Sequence, residues 1–319
     1  MAELSHQARR RGRGAFVLSV VDRFMPFLML ALILTLIFTM RPNVLSYFGV
    51  NLLLKLSVPL VLAALSQMLI IALGDIDLSI GAFVGFVTCV AAVYLETNPG
   101  WGIALLVMGI AVYTAAGLLI HERQVPSIIV TLGMSFLWLG AALLVLPTPG
   151  GAAPQWLSAI PKVRLPLLPF PVWFSLAAAL VMDLLLMRSA FGVILRGVGG
   201  NSRAMERAGW SVARAKMLVY ASAAFLGILS GLSLAALTTS GAPNIAPAYT
   251  LLSIAAVILG GGSFVGGIVS PAGTVVGAIT LVLVGSVLSF LNVPPVWQSG
   301  AQGLILIAVL LGRGLISRP

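Results

Sequence analysis

From residue 20 onward the chain is a succession of apolar runs separated by short polar stretches. Most runs approach the roughly 20 residues a helix needs to cross a bilayer's hydrocarbon core. Of 319 residues, 60% are hydrophobic and 8% charged. A soluble domain carries about 25% charged residues, and much of any folded surface stays wet. A soluble fold of this length has no interior large enough for so much apolar surface. Lipid tolerates it, provided the backbone's polar groups are satisfied internally, as they are in helices. The pattern predicts an all-α polytopic membrane protein: one transmembrane domain over residues 1–319, with no soluble catalytic module.

Runs at 20–40, 57–74, 79–95, 101–120, 126–146, 170–187, 217–238, 272–290 and 296–312, plus a shorter one at 248–262, predict about ten transmembrane helices. Residues 43–56 read as an extra surface or half-inserted helix. An even count places the N and C termini on one side, and the charges assign that side to the cytoplasm. Fourteen Lys and Arg residues fall on the inner side and four, Arg41, Lys55, Lys162 and Arg164, on the outer. Trp101, Trp173 and Trp297 fall at outer helix ends, where amphipathic rings favour the interface. Residues 1–19 form a basic cytoplasmic arm. The run that follows is too long for a secretory signal and lacks a small-residue cleavage site, so it reads as an uncleaved first helix. Five helices per half is an odd number, which permits inverted five-helix halves, a common transporter plan. No residue-level repeat marks them.

The net charge of +10 reports topology rather than nucleic-acid binding, because the cations sit between apolar runs. The single cysteine, Cys89, lies inside an apolar run and reads as a packing residue. No Cys/His cluster suggests a metal, no GxxxxGK[ST] loop suggests bound ATP, and no catalytic constellation stands out. Loop 147–169 is rich in proline and reads as a stiff, extended outer surface, either a connector or a docking face for an external partner.

Three segments are informative. In Gly74-Asp75-Ile76-Asp77-Leu78-Ser79-Ile80-Gly81, two carboxylates interrupt apolar sequence. One charge at a helix centre costs roughly 2.5–3.5 kcal/mol on insertion scales, so this is a turn, a helix end or a wet cavity. Asp77 or Ser79 is suited to cap the helix that follows. Segment 188–216 is the largest cytoplasmic loop. Within it Asn201 is a helix cap, Ala204, Met205 and Ala208 share one small apolar face, Arg203, Glu206 and Arg207 fill the remainder, and Gly209 ends the helix. The small face and the flanking Gly199 and Gly200 favour a docking element over a bare topology signal. Finally, Ser240 to Asn244, then Gly260, Gly261, Gly266 and Gly267, bracket the short run 248–262. Short, Gly- and Pro-interrupted spans mark substrate passages, although tight helix packing explains them nearly as well.

Together these segments resemble the monosaccharide-type permeases of bacterial ATP-binding-cassette importers, the group that includes the ribose permease. The resemblance rests on Gly74–Gly81, on Val125-Pro126-Ser127-Ile128-Ile129-Val130-Thr131-Leu132-Gly133, on Phe191–Lys216 and on Ser253–Gly261, in the family's order. The family usually has Gly where this chain has Asp75, and more Gly and a basic residue after the turn ending at Gly267. The resemblance implies a non-catalytic subunit of the bacterial inner membrane. It binds no cofactor itself, and ATP and magnesium belong to a separate ATPase. The implied partners are a second permease chain, the ATPase subunits and a periplasmic or lipid-anchored sugar-binding protein. Residues 199–209 would form the ATPase-coupling element, and Gly74, Asp77, Ser79, Gly81, Asn244, Gly260 and Gly261 would belong to the translocation core. The rival reading is an ion-coupled secondary transporter of a small polar solute, which requires buried ionisable groups along the helices. Only Asp75, Asp77 and Asp183 come near that requirement.

Overall fold

A computed structural model describes residues 24–294 and positions 296–298, 300, 301, 303, 304 and 307. The basic arm 1–19 lies outside the described residues, as does most of the run 296–312. Among the described residues the regular structure is helical, apart from an isolated bridge between Gly150 and Gly241. Helix α1 spans Phe24–Met40. It is followed by α2 (Tyr47–Leu54), α3 (Ser57–Ala72), α4 (Ile80–Val93), α5 (Pro99–Arg123), α6 (Ser127–Val145), α7 (Gln155–Ala159), α8 (Phe170–Asp183), α9 (Ala190–Arg207), α10 (Val212–Thr238), α11 (Ala248–Leu259) and α12 (Pro271–Phe290).

The starts of the helices follow local chemistry. Asn98, Ser189, Ser211 and Ser270 each accept a hydrogen bond from a first-turn backbone N–H. Pro99, Pro171 and Pro271 sit at the first turns of α5, α8 and α12, where the missing N–H costs nothing. At the other end of α5, His121 and Arg123 occupy the last turn, where cations favour the helix dipole.

Among the described residues five helices, α5, α6, α8 with its π turn to Arg188, α10 and α12, are long and apolar enough to cross a membrane. The α2–α3 pair, bent by 42°, makes a sixth, and α1, α4 and α11 are shorter apolar helices. All sixteen residues of α3 are buried, as expected of a helix that is apolar all round. It packs against α10, α11 and α12. Two serines tie it to α10: Ser66 donates to the Ala223 carbonyl (2.8 Å), and Ser230 of α10 donates to that of Pro59 (2.7 Å). Beside this core lies an aromatic cluster of Phe83, Phe86, Tyr113 and Trp138. The outer faces of α1, α5, α6 and α8 expose large hydrophobics such as Leu32, Phe136, Leu144 and Leu180, a surface suited to lipid and not to water.

Two sequence expectations are corrected here. Loop 147–169 is not extended throughout. It folds into α7 and a 3-10 turn at Ile160–Lys162. Pro154 stands just before α7 and Pro161 at the start of the 3-10 turn, positions that need no proline N–H. Ala153 and Leu157 hold the loop down by packing on Ala91 and Ala235. The segment 188–216 is not an open loop either. α9 fills it from Ala190, and α10 begins at Val212, so Arg214 and Lys216 belong to a helix.

Candidate functional site

α4 and α11 are the two shortest of the three lone apolar helices that fall below spanning length. At 14 and 12 residues and 1.5 Å per residue they reach about 21 and 18 Å, short of a hydrocarbon core of about 30 Å. Each is preceded by non-helical chain, residues 73–79 and 239–247. Their N-termini meet: the Gly81 N–H donates to the Thr250 hydroxyl (3.2 Å). From there they run toward opposite ends of the fold. Ala92, near the end of α4, accepts from the Ala152 N–H of the proline-rich loop (3.1 Å), while the turn after α11 reaches Ala72 and Gly199.

Segment 73–79 leaves α3 at Gly74, whose φ of +82° suits glycine. Polar side chains from three helices then grip it. The Asp77 carboxyl group, fully buried, accepts from the Ser79 N–H and hydroxyl (both 2.6 Å) and from the Tyr113 hydroxyl of α5 (2.9 Å). Gln67 of α3, with its amide turned to match, donates to the Asp77 carbonyl and accepts from its N–H (3.1 Å each). From α6, Ser127 accepts from the Ile76 N–H (3.1 Å), and Thr131 accepts from the Leu78 N–H (3.0 Å). The backbone polar groups of this non-helical stretch are thereby satisfied within protein, as a membrane interior demands. The expected N-cap is not made. Asp77 closes an Asx turn two residues on, and Ser79, at the N-cap position, turns its hydroxyl back to Asp77.

Asp75 does not join that network. Its carboxylate pairs with Lys216 of α10 (2.9 Å) and accepts from the Tyr220 hydroxyl (3.4 Å). The pair borders a cavity of about 480 Å³ whose lining includes Gly74, Ser127, Arg203 and Glu206.

The short helix expected after Asn201 is formed, with its cap and its glycine stop. α9 breaks at Asn201, which is non-helical, and the Asn201 side chain caps the second part by accepting from the Ala204 N–H (3.0 Å). Gly209, at φ +85°, ends it, with the Trp210 N–H returning to the Met205 carbonyl (3.0 Å). The apolar face is split, however. Ala204 and Ala208 are exposed beside Arg203, Glu206 and Arg207, while half-buried Met205 packs back over Gly197, a hollow its flexible side chain fills.

The glycines before the kink join three distant segments. A Cβ on Gly199 would overlap the Ala72 carbonyl, and one on Gly266 would sit 2.6 Å from the Gly199 carbonyl. The Gly267 N–H donates to Ala72 (2.9 Å). Gly200 meets nothing at that position. Gly260 packs on Gly273 of α12, and Gly261 follows it at φ +104°, both apart from the Asp77 network. Asn244 is exposed and lines a cavity of about 210 Å³ with Leu78, Gly81, Ser135 and Thr250, at the meeting of the two short helices.

Residues 49–310 match the family described as the permease component of branched-chain amino acid transport systems. The chain belongs to this permease family. An L-arabinose transport system permease protein of Escherichia coli (strain K12) is 28% identical to the permease described here over 254 residues, 78% of this chain and 77% of the relative. An L-arabinose ABC transporter permease protein of Azospirillum brasilense is 32% identical over 262 residues, covering 78% and 75%. An autoinducer 2 import system permease protein of Salmonella typhimurium is 28% identical over 268 residues, covering 80% and 75%. No solved structure matches this permease. Within it, Gln67 and Tyr113 are the site residues that sequence reading did not single out, while Ser127, Thr131 and Lys216 entered it only as members of longer motifs with no role assigned. The available signal was polarity inside apolar runs, which is costly in lipid unless it has a partner.

Proposed function

We propose that this permease is the membrane subunit of an ATP-binding-cassette importer that moves a monosaccharide or a related small polar solute. Membership of a transport-permease family carries the transport part, and the arabinose and autoinducer 2 names of its relatives favour the sugar class. The pairing of two half-depth helices beside a cavity with Ser135, Asn244 and Thr250 in its wall supports a passage there. The ion-coupled reading loses ground, because Asp75 and Asp77 are both already engaged.

In this reading ten helices cross the bacterial inner membrane with both termini cytoplasmic. A second permease chain completes the path, a soluble binding protein delivers solute at the proline-rich end, and ATPase subunits dock at residues 199–209. The deciding experiment is uptake in vesicles holding the permease with the ATPase and binding protein of its own system. Pentose or hexose uptake that needs ATP is expected, and Ala204→Glu is expected to abolish uptake and solute-stimulated ATP hydrolysis together without reducing membrane insertion. Uptake of branched-chain amino acids and of no sugar would overturn the substrate class, and normal coupling in Ala204→Glu would overturn the docking assignment.

A further inference from the structure

At the proline-rich end, away from the Asp77 network, α3, α8 and α10 leave a cavity of about 300 Å³ beneath α7. That size lies at the lower edge of ordinary ligand pockets, which span about 300–1,000 Å³. Its walls are almost wholly apolar, with Leu62, Leu157, Phe174 and Leu232 among them. The Ser233 hydroxyl on the wall already donates to the Ser230 carbonyl (2.9 Å). A sugar bound here would leave its hydroxyls without partners, so the cavity does not suit the transported solute. Besides the indole of Trp156, the remaining polar group in the lining is Lys55, the half-buried residue that ends α2 and the one cation of the lining. Among the described residues no carboxylate lies within ion-pair distance of it. The same end of the fold also carries Lys162 and Arg164, in a loop, 147–169, that holds no acidic residue.

An apolar slot with an unpaired cation in its wall recognises a long hydrocarbon body with an anionic head. In a protein surrounded by bilayer, the abundant molecule of that form is a phospholipid. We propose that this cavity is a binding site for one acyl chain of an anionic phospholipid, whose phosphate is held by Lys55. The chain fills the space under α7, and the bound lipid braces the proline-rich loop against α3 and α10.

The experiment is native mass spectrometry of the full-length permease in mild detergent, with equal amounts of phosphatidylglycerol and phosphatidylcholine of matched chains. One tightly held lipid per chain is expected, with phosphatidylglycerol preferred about 5-fold, the selectivity one interfacial lysine contributes toward an anionic lipid. Lys55→Gln is expected to erase the preference while leaving a lipid bound. Leu232→Trp, which fills the slot, is expected to remove the bound lipid of either kind. Equal retention in Leu232→Trp, detergent alone on the native chain, or an undiminished preference in Lys55→Gln would each overturn the proposal. Full displacement of phosphatidylglycerol by an equal concentration of palmitate would overturn its phospholipid part, leaving a fatty-acid slot. Because Lys55→Gln lies at the end of α2, it keeps the test open even if Leu232→Trp does not fold.

Discussion

The two broken crossings, residues 73–79 with α4 and residues 239–247 with α11, are built on one plan and secured by different means. The first is held by side chains from α3, α5 and α6 converging on Asp77 and its neighbours. The second lies antiparallel along α4 and is held by main chain and one threonine: Gly241 pairs with Gly150, the Ala153 N–H donates to the Thr239 carbonyl (3.1 Å), the Thr88 hydroxyl bridges the N–H and carbonyl of Ala242, and Gly85 admits the Pro243 carbonyl. A side-chain clamp with buried partners is all-or-none, since losing one member strands the others. In 239–247 no buried carboxylate is stranded when a contact breaks, so this segment shifts at smaller cost. The contrast suggests a fixed post in 73–79 and a movable wall in 239–247.

The largest effect should come from Asp77→Ala. It leaves the Ser79 N–H without its acceptor and the Ser79 and Tyr113 hydroxyls, 2.8 Å apart, with only each other, at roughly 1–3 kcal/mol per stranded group. Monodisperse protein in a size-exclusion profile should fall at least several-fold, whereas Asp77→Asn, which keeps an acceptor oxygen, should recover most of it. Equal yields for Asp77→Ala and the native chain would dissolve the post.

Next in size is the Asp75–Lys216 pair, where either alanine variant removes one partner. The pair borders a cavity, so the cost should stay below the roughly 3–5 kcal/mol of breaking a fully buried pair. The melting temperature should drop for each single variant and recover in the exchanged pair Asp75→Lys with Lys216→Asp. Failure of the exchange to recover would mean that the contact contributes packing rather than charge.

On the movable side, Gly85→Ala should leave yield near native and cut uptake sharply, because the new methyl overlaps the Pro243 carbonyl and pushes 239–247 off α4. A collapse of yield equal to that of Asp77→Ala would erase the distinction between the two crossings. The smallest change is expected for Asn244→Ala. With an exposed side chain it should not affect stability, and it should raise the solute concentration for half-maximal uptake by a few fold. An unchanged uptake curve would take Asn244 out of the passage.

Much of the helix order was legible, since lipid leaves the backbone few options and apolar length reports it directly. The turn chemistry of Asn201 and Gly209 was legible for the same local reason, capping within a few residues. Asp77 could be recognised as a break but not understood. Its hydroxyl partner Tyr113 stands 36 residues away and its neighbours' partner Thr131 more than 50 away. Local spacing suggested a cap where tertiary contacts made a clamp. The inward turn of Met205 was hidden for a similar reason, because the hollow it fills belongs to Gly197 on the preceding part of α9. Asp75 became interpretable only once α10 brought Lys216 beside it.

The contact of Ala72, Gly199, Gly266 and Gly267 has a mechanical consequence. Three stretches of chain touch there through peptide groups alone, with no side chain between them to rotate, compress or change rotamer. Such a joint has almost no compliance. A displacement of Gly199 is therefore shared by the foot of α3 and the turn beyond α11, because neither can yield without the other.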